Sequence, residues 1–241
     1  MERRETVLVI GASGEIGSEV VCELANSPYH FVLHYFKNEN TIHNLVNVLA
    51  SDQVLMTAQA DLSHEKGIQN LIDSIPFNID IIIFAQGQAY YQLLQDTDPY
   101  KMDELYHTHV KSTMLISKAF LPEMIQQRNG KIVIISSIWG EVGASHEVVY
   151  STMKGAQLSF MKALAKEIGS SGVLVNAVSP GLIDTHMNDV LEPEDRDAFV
   201  ESIPLKRIGT AKDVANSVRF LCSHDNQYVH GQVFRVNGGQ L

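Results

Sequence analysis

Thr6-Val7-Leu8-Val9-Ile10-Gly11-Ala12-Ser13-Gly14-Glu15-Ile16-Gly17 passes from an apolar, largely β-branched run into a glycine-spaced loop, and then into a helical pattern over residues 16–26. Val, Ile and Thr favour a pleated strand, and an unbroken apolar run fits a strand buried on both faces of a parallel sheet. Glycines directly after such a strand permit a tight turn and a close backbone approach. Helix N–H groups can then meet a pyrophosphate at the positive end of the helix dipole. A plain strand–helix turn would show the same glycines, so the stretch speaks to fold before it speaks to ligand.

The same alternation continues outward. Further β-rich apolar runs lie at 30–36, 53–59, 79–84, 131–136, 173–178 and 232–236, with helical patterns between most of them. Repeated β-α-β units of this kind predict an α/β fold whose parallel sheet is covered on both faces. The long helical segments 110–127 and 147–169 are apolar on more than one side, as expected of helices in a subunit interface. No repeat, low-complexity tract or linker divides the chain, so 1–241 is expected to form a single domain. The irregular stretch 180–204 is expected to be a substrate lid.

Composition narrows the function classes. The 241 residues are 45% hydrophobic and 19% charged, and 18 basic against 28 acidic groups give a formal charge of -10. That balance argues against a general nucleic-acid binder or a binder of anionic membranes. Cys22 and Cys222 lack Cys-x-x-Cys or metal-like spacing and are expected to be reduced core thiols, and the ten histidines form no ligand cluster, so no metal is expected. Residues 1–5 lead straight into the first strand without a long apolar stretch, which gives the cytoplasm as the expected compartment.

Two groups carry candidate chemistry. Tyr150 and Lys154 are four residues apart on a helical pattern and share a face. An ammonium beside a phenol favours the phenolate, lowering a pKa that starts near ~10. The competing reading is an amphipathic helix with a snorkelling lysine. The second strand ends at Tyr35-Phe36-Lys37-Asn38, with no acid where an NAD site would present one to the ribose hydroxyls. Lys37, with Ser13, is instead placed to meet a 2′-phosphate, so NADP(H) is expected over NAD(H); otherwise Lys37 is a solvated surface charge. Asp61 is either a neighbour of the adenine or a helix-start residue.

Together these pieces resemble the short-chain dehydrogenase/reductases. The resemblance covers nearly the whole chain and rests on the loop at 11–17, on Ile134-Ile135-Ser136-Ser137 followed by Tyr150-x-x-x-Lys154, on Asn176-Ala177-Val178-Ser179-Pro180-Gly181 with Thr185, and on residues 231–239. It implies a Rossmann-type doubly wound parallel sheet of about seven strands in the order 3-2-1-4-5-6-7, flanked by helices, and a homo-oligomer, tetramer or dimer. It also implies roles. Ser137 would hydrogen-bond a substrate carbonyl, Tyr150 would donate the proton as a nicotinamide delivers hydride, and Lys154 would hold the nicotinamide ribose. Gly11, Ser13, Gly14, Ile16, Gly17 and Gly87 would surround the cofactor on one side, and Pro180, Gly181, Ile183 and Thr185 on the other.

Three departures from the family pattern stand out. Glu15 replaces the middle glycine of the loop and is expected to weaken phosphate binding unless it points away. Phe84-Ala85-Gln86-Gly87 replaces Asn-Asn-Ala-Gly, so other groups must brace the central sheet. His109 takes the place of the catalytic asparagine of the proton relay, with a charge expected to vary with pH, or else it is a structural helix histidine. The overall pattern is similar to 3-oxoacyl-acyl-carrier-protein reductases, with Arg128 placed to dock an acidic carrier and Ser171 in the other, usually basic, docking position. Residues 136–157 are locally similar to reductases of the 5-aminopentanone group on modified elongation factor P. Trp139 and Glu141 are expected in the substrate pocket, where Glu141 or Glu147 would suit an ammonium, unless both acids face water. A small or tethered ketone is thus the expected partner. The competing non-enzyme reading is a catalytically impaired dinucleotide-binding protein.

Overall fold

The structure is a computed structural model that describes residues 3–186 and 193–241. Its strands are β1 Thr6–Ile10, β2 His30–Tyr35, β3 Val54–Gln59, β4 Ile81–Phe84, β5 Gly130–Ile135, β6 Val173–Pro180 and β7 Val233–Val236. Its helices are α1 Glu15–Leu24, α2 Glu39–Val48, α3 Glu65–Ser74, α4 Pro99–Leu105, α5 Ser112–Gln127, α6 Trp139–Val142, α7 Val148–Ile168, α8 Pro193–Ser202 and α9 Ala211–Cys222.

One seven-stranded sheet has the order β3-β2-β1-β4-β5-β6-β7, as the resemblance implied, and every pairing is parallel. Alternate side chains of each strand go to opposite faces. Val7, Val9, Ile81, Ile83, Val133 and Ile135 join the apolar faces of α1, α2 and α9. Leu8, Ile10, Ile82, Phe84, Ile132 and Ile134 join α3, α5 and α7. Burial on both faces explains why these strands read as continuous apolar runs without polar alternation. Parallel pairing throughout sends all the C-terminal ends to one edge of the sheet, where the strand order reverses between β1 and β4 and leaves a crevice.

Two expectations need correction here. Cys22 lies on the exposed face of α1, while Cys222 is a core thiol. The sequence pattern began one long helix at 110, whereas α4 runs through a π-helical turn, Tyr106–Lys111, into α5. Among the described residues no helix is long and apolar enough to cross a membrane, and no His, Cys, Asp and Glu side chains cluster as metal ligands.

Candidate active site

Ser137, Tyr150 and Lys154 come together at the C-terminal end of β5. Ser136 Oγ donates to the Lys154 carbonyl at 3.0 Å, which fastens the strand end to α7. Gly140 of α6 lies so close to α7 that a Cβ there would stand 2.7 Å from the Lys154 carbonyl carbon. This packing places Tyr150 and Ser137 in the wall of one cleft. Ser137 Oγ also accepts from the Trp139 N–H at 3.2 Å. Lys154 Nζ donates to the Ile135 carbonyl at 2.9 Å and stands 5.7 Å from the Tyr150 ring centroid.

The electrostatics reverse the expectation drawn from the helical spacing. Burial pushes the Tyr150 phenol up, the neighbouring Ser137 hydroxyl opposes it, and the nearby Glu147 and Tyr91 raise it further. Lys154, enclosed in the same site, is brought down to about 7 by loss of solvation. A buried ammonium is itself disfavoured, and its nitrogen is committed to a carbonyl. Tyr150 is therefore a neutral phenol at neutral pH, the state in which it can donate a proton.

His109 sits on the π-helical turn, fully buried, with its ring edge-to-face on Tyr150 at 5.8 Å between centroids. Its Nε2 lies 3.2 Å from the Gln88 N–H and 3.3 Å from the Gln88 carbonyl, and its buried Nδ1 has no partner among the described residues. Burial, then the charge of Lys154, pulls its pKa to about 3. The expected pH-dependent charge is thus corrected: His109 is neutral throughout the physiological range. Its carbonyl accepts from Thr113 Oγ1 at 2.7 Å and from Gln157 Nε2 at 2.9 Å. Gln86 is the other brace. Its amide donates to Ser112 Oγ, Thr113 Oγ1 and the Thr108 carbonyl at 3.2–3.3 Å, tying the end of β4 to the π-helical turn.

A second cleft adjoins the first at Ala85, Gln86 and Gly87, and is lined by Gly11, Ser13, Gly14, Lys37 and Asp61. Its floor is backbone. A Cβ on Gly17 would stand 2.2 Å from the Gly11 carbonyl oxygen, and one on Gly11, whose φ is +81°, would stand 2.7 Å from the Gln86 nitrogen. These glycines hold α1, the loop and β4 at a spacing no side chain allows. Sequence reasoning missed His34, whose Nδ1 accepts from the Gly11 N–H and whose Nε2 meets the Ala60 carbonyl, both at 3.1 Å. Burial lowers its pKa to about 4, so it is neutral, with Nε2–H as donor to Ala60. Lys37 Nζ lies 4.8 Å from the Phe36 ring centroid at the rim, and Asp61 Oδ1 accepts from the Ser63 N–H at 2.9 Å, the turn-forming bond of a residue before a helix. Ile16, Pro180, Gly181, Ile183 and Thr185 line the catalytic cleft opposite Tyr150.

Of the acids considered for the pocket, Glu141 is not there. Its Oε2 accepts from Arg235 Nε at 2.9 Å and Nη2 at 2.7 Å, and it is not among the residues of the cleft wall. Trp139, Glu147 and Tyr91 are. The part of the expected lid at 187–192 lies outside the described residues, while Leu182 and Phe199 on either side reach the cleft.

Residues 11–240 match the family model described as Enoyl-(Acyl carrier protein) reductase. The chain belongs to the short-chain dehydrogenase/reductase family. Among the relatives of this family member, an uncharacterised oxidoreductase of Bacillus subtilis, YmfI, is 40% identical over 240 residues, covering 98% of both chains. The 3-oxoacyl-[acyl-carrier-protein] reductase of Aquifex aeolicus is 37% identical over 236 residues, 98% of this chain and 87% of that one. A solved structure of ElxO with NADP bound superposes with a TM-score of 0.88 at 27% identity, covering 99% of each chain. Against the family pattern, Glu15 is turned away from the loop: its carboxylate accepts from the His186 N–H at 2.8 Å and lies 3.0 Å from His186 Nδ1. The bracing that the altered residues after β4 seemed to forfeit is supplied by Gln86.

Proposed function

We propose that this short-chain dehydrogenase/reductase is an NADP(H)-dependent reductase that converts a ketone to a secondary alcohol. The observation that carries the reading is that Ser137, Tyr150 and buried Lys154 line one cleft, which adjoins the glycine-floored one. The cleft fits a dinucleotide. Backbone close to Gly11 and Gly17 leaves room for phosphates at the α1 N-terminus, and Lys37 with Ser13 suits a 2′-phosphate. When bound, NADPH supplies the hydride.

The remaining work falls to side chains of this chain. Ser137 Oγ and the Tyr150 hydroxyl point donors at the carbonyl oxygen, stabilising negative charge as it develops there. Tyr150, held protonated by burial, releases its proton to that oxygen. Lys154, close to the phenol, offsets the negative charge left on it and orients the cofactor ribose. His109 has no titratable charge to contribute, so its part is to support the Tyr150 ring and hold the Gln88 backbone.

The relatives favour a 3-oxoacyl thioester on an acidic carrier protein as substrate, with exposed Arg128 at the end of α5 as a docking cation. Glu147 in the cleft wall favours a second reading, the aminopentanone group on elongation factor P. NADPH consumption by the purified protein against 3-oxoacyl thioesters, enoyl thioesters and the modified factor tests both. Tyr150→Phe should lower kcat by about 10²–10⁴-fold while NADPH binding persists. Unchanged turnover in that variant would overturn the mechanism and leave a binding-only protein as the better account.

A further inference from the structure

Glu15 is the first residue of α1, where the family pattern has a glycine. A carboxylate at this end of a helix competes with phosphates for the same positive pole. Here both of its oxygens are engaged. Oε2 accepts from the His186 N–H at 2.8 Å, and Oε1 lies 3.0 Å from His186 Nδ1. A carboxylate only accepts, so Nδ1 is the donor. The contact joins segments 171 residues apart.

Gly14, just before Glu15, lines the glycine-floored cleft, and Ile16, just after it, lines the catalytic cleft. Thr185, just before His186, lines the catalytic cleft as well. A dinucleotide that fills both clefts must therefore pass the point where Glu15 meets His186. The residues leading up to His186 are rooted elsewhere. The Asp184 N–H donates to the Gly209 carbonyl at 2.8 Å, the Gly209 N–H donates to the Leu182 carbonyl at 3.0 Å, and Arg196 Nη2 donates to Asp184 Oδ1 at 2.6 Å. Glu15 thus ties a segment anchored next to α9 and α8 to the start of α1. The two side chains are 43% and 88% exposed, so the contact can open into water without leaving a buried polar group behind.

We propose that Glu15 is a positioning residue that, through His186, straps the segment 183–186 to α1 at the junction of the two clefts and so slows both entry and release of NADP(H). The inference rests on the NADP(H) reading. Its kinetics differ from those of the two other effects an acid could have at this place. Repulsion of the phosphates slows entry and speeds release, whereas a contact that merely shapes the site slows release alone. A strap that must open for passage in either direction slows both and leaves affinity nearly unchanged. The glycine of the family pattern has no side chain with which to form one.

Stopped-flow NADPH fluorescence tests this, with kon taken from the concentration dependence of binding and koff from displacement by excess NADP+, and with NADH run in parallel. Glu15→Ala should raise kon and koff together, each by about threefold to tenfold, as expected for loss of one exposed, charge-assisted contact, while Kd moves by less than about threefold. His186→Ala keeps the backbone N–H and should raise both rates by a smaller factor. The double variant should not exceed Glu15→Ala, because the two side chains act as one unit. A rise in kon with a fall in koff, or a rise in koff alone, overturns the proposal. Unchanged rates in Glu15→Ala, or single effects that multiply in the double variant, overturn it equally. A wild type that binds neither NADPH nor NADH removes the cofactor reading and the strap with it, whereas normal binding with unaltered exchange in the variants removes the strap alone.

Discussion

Gly17→Ala tests whether the glycine floor is built for close approach. The added Cβ would fall 2.2 Å from the Gly11 oxygen, 3.0 Å from its carbon and 3.2 Å from Ala12 Cα, all backbone atoms that cannot rotate aside. Ordinary contact starts at 3.4 Å, so α1 must withdraw from the loop by roughly 1 Å. Overpacking of that kind costs about 1–3 kcal/mol. In a chain of this length each kcal/mol lowers Tm by about 2–4 °C. The same shift pulls the α1 N–H groups off the phosphate position, so NADPH affinity should fall by roughly tenfold or more. Gly14→Ala is the matched control: its Cβ would lie 3.5 Å from the Gly11 oxygen, at a φ of -77° that any residue adopts. It should cost no more than about 1 kcal/mol, from the poorer N-cap. Thermal melts and NADPH fluorescence titrations on both variants decide the matter. If Gly17→Ala melts and binds like Gly14→Ala, the close-approach argument is wrong.

Lys154 gives a stability–pH signature. Its folded pKa of about 7 lies below the unfolded value, so the unfolded chain binds more protons between the two and stability from this group rises with pH across that window. Lys154→Met should therefore stabilise the protein more at pH 6 than at pH 10, as read from urea melts at both values; an equal effect would contradict the buried-charge assignment. His109→Asn should leave the shape of the pH–rate profile between pH 5 and 9 unaltered, since the imidazole does not ionise there; loss of an inflection on substitution would show that it does. Glu141→Gln, which breaks an ion pair to half-exposed Arg235 outside the cleft, should leave kcat/KM within about twofold and cost up to about 1 kcal/mol. A larger drop in turnover would return Glu141 to the pocket.

The central strands β1, β4 and β5 were readable because burial on both faces writes itself as runs of Val and Ile, and the glycine loop because only glycine meets its spacing. Their order across the sheet came from the family resemblance, since periodicity carries no information about which strand lies beside which. The π-helical turn left no trace in the pattern, because one extra residue per turn changes neither composition nor apolar spacing enough to register. Its effect is large all the same: it carries His109 from a supposed helix start into full burial, and burial silences the charge that sequence alone assigned to it. Glu141 and Glu147 show the same limit. They flank one short loop, and only the position of Arg235 on a strand distant in sequence decides which of them is drawn away from the cleft. Tyr150 and Lys154 do lie together, as their spacing implies, but their electrostatics run the other way, because helical spacing predicts proximity and says nothing of solvation.

His34 fixes more than a tautomer. By linking the Gly11 N–H to the Ala60 carbonyl through a rigid ring, it joins the ends of three strands without any rotatable polar chain between them. The glycine loop, which by composition ought to sample many conformations, is thereby held in one before any ligand arrives. A dinucleotide entering this cleft need not spend binding free energy on ordering the loop. The flexibility usually credited to a glycine-rich segment is, in this protein, confined to its sequence.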